Sequence, residues 1–97
     1  MFFSRKPKIA LVPQGVLDGE EIIAVMNDYN GDWVCYSSRE VPLEDVVVVH
    51  REHLFGLDGT LRNLPKIPRG HIARRDNRSG PWRIDPPQMT RKEWLNS

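Results

Sequence analysis

The chain has 97 residues, 39% hydrophobic and 28% charged, with a formal net charge of +1. That length supports one modest core, and the composition argues against disorder and against a membrane-embedded chain. One cysteine, Cys35, permits no intrachain disulfide, and Met1-Phe2-Phe3 is too short an apolar start for a secretory signal, so a cytoplasmic location is expected.

Residues 1–8 read as a basic N-terminal arm. Ile9 to Val12 is a short apolar run closed by Pro13, the pattern of an edge strand. Gln14-Gly15 and Asp18-Gly19 are turn signals around Val16-Leu17. Glu21 to Tyr29 and Asp32 to Ser38 then read as two strands about Asn30-Gly31, the favoured pair of a two-residue hairpin turn. That turn predicts Val25 opposite Tyr36 and Met26 opposite Cys35, with apolar residues on both faces, so the hairpin is expected at the centre of a sheet.

Val46 to Val49 is the strongest strand signal, because four β-branched residues resist a helix. Leu54, Leu57, Leu61 and Leu64 recur at helical spacing, but Gly56 and Gly59 interrupt them. Two short helical turns follow, the second capped by Asp58. Gly70 to Arg75 and Pro81 to Ile84 read as a closing strand pair, and Pro86-Pro87 breaks the chain before a tail, residues 86–97. Thr90 to Glu93 in that tail has capping-box spacing ahead of Trp94 and Leu95. The expected architecture is a single α+β domain over residues 9–85, mainly antiparallel sheet with a central hairpin and short helical segments.

Catalytic patterns are weak. His50-Arg51-Glu52-His53 lacks the four-residue histidine spacing of zinc proteases, and Cys35 and His71 are the only other soft ligands. Cys35 falls mid-strand among apolar residues, the setting of an inert thiol. Ser37-Ser38 lacks the turn that exposes a serine nucleophile, and no phosphate-binding glycine loop occurs. No enzyme activity, metal or cofactor is expected.

Charge is unevenly distributed. From Ile9 to His50 there are eight acids against Arg39 alone, whereas Lys66 to Arg83 has six bases against Asp76. Arg74, Arg75, Arg78 and Arg83 with Trp82 could bind nucleic acid through phosphate contacts and stacking. The acids Asp28, Asp32, Glu40, Glu44 and Asp45, with Tyr29 or Tyr36 as anchors, could instead meet a basic protein partner.

In their order, the motifs resemble a bacterial domain family of unknown function, family 2185, grouped with the immunity proteins of polymorphic toxin systems. The resemblance runs over about residues 9–84 and rests on Ala10-Leu11-Val12, Gly31-Asp32-Trp33-Val34, Leu57-Asp58-Gly59-Thr60-Leu61, Leu64-Pro65-Lys66-Ile67-Pro68-Arg69-Gly70-His71-Ile72-Ala73-Arg74-Arg75 and Gly80-Pro81-Trp82. It implies a compact α+β domain that binds and neutralises a cognate toxin protein. It brings no catalytic residues.

Overall fold

The structure, a computed structural model, describes residues 8–87 and Lys92. The expected arm before Lys8 and, of the capping-box segment, Thr90, Arg91 and Glu93, with Trp94 and Leu95, lie outside the described residues. Six strands form one sheet: β1 (Ile9–Pro13), β2 (Ala24–Asn27), β3 (Trp33–Tyr36), β4 (Val46–His50), β5 (Ile72–Arg74) and β6 (Arg83–Asp85). Their spatial order is β4-β1-β3-β2-β5-β6, so the β2–β3 hairpin is central. Every neighbouring pair is antiparallel except β1 with β3. The fold is α+β.

β1 is not an edge strand: it pairs with β3 on one side and β4 on the other. Pro13 is its last residue, where a missing N–H removes at most one ladder bond. The edges are instead the valine strand β4 on this side and β6 on the other. Asp45 before β4 and Arg51 and Glu52 after it place charge at both ends of that edge.

The hairpin turn is longer than Asn-Gly predicts. Asn27 pairs with Trp33, and the Asp28 N–H donates to the Asp32 carbonyl at 2.9 Å, leaving Tyr29, Asn30 and Gly31 as the loop. Asp28 is the cause, because its Oδ1 accepts from the N–H groups of Asn30 (2.8 Å) and Asp32 (3.0 Å). Gly31 closes the loop at φ +87°, a conformation that costs glycine little. The register therefore slips by one residue: Val25 faces Cys35, Met26 faces Val34 and Ala24 faces Tyr36. A slip of one exchanges the faces of the two strands relative to each other.

That register sorts the sheet into an inner and an outer face. Ala10, Val12, Val25, Cys35 and Ala73 point inward and are at most 3% exposed. Two helices, α1 (Gln14–Leu17) and α2 (Arg51–Leu57), and a 3-10 turn, Gly59–Asn63, cover that face through Val16, Leu54 and Leu61. Asp58 caps the 3-10 turn by accepting from the Thr60 N–H at 3.0 Å. Leu57 and Gly56, both exposed, end α2 where the leucine spacing breaks.

Candidate functional site

The six acidic-face residues do not form one patch. Asp28, Tyr29 and Asp32 sit at the β2–β3 turn, whereas Glu40, Glu44 and Asp45 lie beyond the opposite end of β3. The turn is also not freely acidic. Arg51 Nη2 donates to the Gly31 carbonyl at 2.8 Å, and Arg69 Nη1 donates to the Tyr29 carbonyl at 3.2 Å. Asp28 is spent on its own loop. Tyr29 packs on Gly70, which holds φ +82° and leaves no room for a Cβ beneath the Tyr29 hydroxyl. These residues fix the hairpin tip against the segment before β5, where Asn27 Nδ2 also donates to the Ile67 carbonyl at 2.7 Å.

The basic segment proves largely self-neutralised. Arg74 pairs with Asp85 at 2.7 Å, and Arg83 lies 3.4 Å from Asp76. Arg75 is on no exposed face: it is 3% exposed, contrary to its expected place in a nucleic-acid surface. Its Nη2 donates to Asp58 Oδ2 at 2.9 Å, its Nε to the Ile22 carbonyl at 3.0 Å, and its Nη1 to Thr60 Oγ1 at 2.8 Å and the Arg78 carbonyl at 3.2 Å. The guanidinium lies 4.2 Å from the centre of the Trp82 ring, so Trp82 is occupied as well. Arg78 Nε approaches the same carboxylate at 3.4 Å. Burial works to raise the Asp58 carboxyl, but the hydrogen bonds from Thr60 and the Arg75 donor and charge hold it below its ordinary value.

Three short sequence motifs thus converge on one buried node: Asp58-Gly59-Thr60, Arg74-Arg75 and Pro81-Trp82. The node ties the 3-10 turn, β5 and the β5–β6 loop together. Its chemistry is that of a clamp, since the Asp58 carboxylate and the Arg75 guanidinium are spent on bonds within the protein.

The outer face has a different character. One register row crosses five strands as Val48, Leu11, Val34, Met26 and Ile72 before ending at Asp85. None of these side chains belongs to the core cluster, whose helical members Val16, Leu54 and Leu61 all sit on the inner side. Val48 is 61% and Tyr36 41% exposed. The β3–β4 connection flanks this face and forms, with Pro13, Val34, Tyr36 and Val46, a hollow of about 390 Å³. At the end of that connection a 3-10 turn, Leu43–Asp45, presents Leu43 at 84% exposure between the acids Glu40, Glu44 and Asp45. Among the described residues no cation pairs with these three carboxylates. Leu43 and Val48 escape sequence reasoning because an exposed leucine and an edge valine look like core residues until the sheet order is known.

The remaining reactive side chains are held apart. Burial pushes the Cys35 thiol up to about 12, against the opposing charge of Arg51, so it carries no thiolate at neutral pH. Buried Ser37 donates to the Arg39 carbonyl. His50 and His53 are exposed, and among the described residues no three His, Cys, Asp or Glu side chains converge as metal ligands. No helix of the described residues is long and apolar enough to cross a membrane. No family model matches the chain, and no curated protein or solved structure matches it.

Proposed function

We propose that this chain is a non-enzymatic binding protein of the immunity type, which captures a basic protein toxin on its outer sheet face. The observation that carries the reading is the apolar row through Leu11, Val34 and Val48, bordered by Tyr36, Leu43 and three carboxylates that no cation pairs with among the described residues. An apolar centre with a charged rim is the surface of a specific protein contact, and here the acids gather at the β3–β4 connection while Arg74 and Arg83 lie on the same face toward β6. The acids Glu40, Glu44 and Asp45 select a basic partner and accelerate its approach, while Tyr36 and Leu43 supply the buried anchors. Blocking a toxin needs coverage alone, in keeping with the buried or internally paired state of Cys35, Arg75 and Asp58. The motif resemblance points to the same role.

The test is co-expression with the protein captured from the native host by the full chain. The wild-type chain restores growth to cells producing that protein, and the purified pair associates. Glu40→Lys/Glu44→Lys/Asp45→Lys abolishes both effects with an unchanged melting temperature. A triple variant that still protects cells and binds with wild-type affinity would refute the assignment of the surface. A captured protein that is harmless to cells would refute the immunity role.

A further inference from the structure

The helix-bearing side of the sheet carries a separate feature, remote from the outer face. Ion pairs engage Arg39, Arg74, Arg75, Arg78 and Arg83. Between Lys8 and Pro87, the cations that no carboxylate pairs with among the described residues are Lys8, Arg51, Arg62, Lys66 and Arg69. The first four line one groove of about 520 Å³, and among the described residues no acidic side chain lines it. They come from four separate places in the sequence, so no basic run announces them.

Two aromatic rings organise the groove. Trp33 and Phe55 meet edge to face at 5.9 Å; Arg51 lies over Trp33 at 4.1 Å, and Arg62 over Phe55 at 5.2 Å. A stacked guanidinium is held by its face while its five N–H donors lie in its plane, which leaves those donors for a ligand. Arg51 uses Nη2 on the Gly31 carbonyl at 2.8 Å, yet its Nε is buried without an acceptor. Four like charges on one groove raise the energy of the empty groove, with Asp32 and Asp28 offsetting only that of Arg51. A ligand carrying several negative charges on a short body relieves that repulsion.

We propose that this groove binds the phosphate chain of a compact polyphosphate, free or carried by a nucleotide. Phosphate oxygens match the planar donor forks of Arg51 and Arg62, and Lys8 and Lys66 add point charges along the same groove. Because Trp33 and Phe55 already carry guanidinium groups, the site differs from the bare stacking platforms that bind single-stranded nucleic acid.

The full chain, titrated with sodium tripolyphosphate, ATP and adenosine at low ionic strength, tests this by amide and indole NMR shifts. Saturable shifts are expected at Trp33, Arg51, Arg62 and Lys66, with adenosine inert. Equal affinity for tripolyphosphate and ATP identifies the phosphate chain as the whole ligand, and tighter ATP adds a base contact; both outcomes uphold the site. Arg62→Gln/Lys66→Gln weakens binding by roughly tenfold or more, since hydrogen bonds to charged groups are each worth about that factor. This pair keeps the test sound if Arg51→Gln unsettles the hairpin tip. Arg83→Gln, whose partner is Asp76, leaves affinity unchanged. Absence of saturation, shifts centred on Arg74 and Arg83, or binding of an oligothymidylate without binding of tripolyphosphate would overturn the proposal.

Discussion

Removing the Asp58 carboxylate isolates a charge that the fold has sealed away. The side chains of Arg75 and Asp58 are 1% and 5% exposed, and without Asp58 the Arg75 guanidinium keeps only neutral acceptors, the Ile22 and Arg78 carbonyls and Thr60 Oγ1. Breaking a buried pair by deleting one member costs about 3–5 kcal/mol. A domain of this size has about 5–15 kcal/mol in total, so Asp58→Ala is expected to consume roughly a fifth of the stability or more. Urea unfolding followed by circular dichroism measures the loss as a lower midpoint at constant slope. The double variant Asp58→Ala/Arg75→Met removes both charges and keeps an apolar stem against Trp82, so it recovers most of the loss. The pair also sets an acid limit. The Asp58 carboxyl is depressed in the folded state, so its contribution is complete above the unfolded value of about 4 and disappears as pH falls through the folded value. Asp58→Asn flattens that acid limb. A loss under about 1 kcal/mol for Asp58→Ala, or an unchanged acid limb in Asp58→Asn, would refute the reasoning.

Other expectations follow from local geometry. Gly70→Ala combines a left-handed φ of +82° with a collision against Tyr29, and it should cost about 2 kcal/mol or more by urea unfolding. At Gly31, φ +87° tolerates asparagine far better than valine, so Gly31→Val should be roughly 1–2 kcal/mol less stable than Gly31→Asn. Cys35 should react with a thiol reagent only as fast as the protein opens, because its thiol is buried and protonated; labelling at the rate of a free thiol would contradict its placement.

The fold class and most elements were legible because they rest on local signals. The valine run became β4, Asp58 capped the turn its spacing implied, and the residues after Gly70 and Pro81 became a strand pair. The hairpin register was not, because the Asp28 side chain outweighed the Asn-Gly preference and lengthened the loop by one residue. Sheet order was equally hidden, since nothing local to Ile9–Pro13 reveals that β3 and β4 will flank it. Charge was legible only as a count. Among the described residues the structure matches Arg74, Arg75, Arg78 and Arg83 to acids, leaves Glu40, Glu44 and Asp45 unmatched, and gathers Lys8, Arg51, Arg62 and Lys66 on one groove.

The central claim is that a partner covers the outer face. Hydrogen–deuterium exchange and methyl cross-saturation on the complex with the captured partner measure that coverage directly. The account predicts new protection from Glu40 to Asp45 and saturation transfer to the methyls of Leu11, Val34, Leu43 and Val48. Protection confined to α2 and the Gly59–Asn63 turn, with those methyls unaffected, would contradict it.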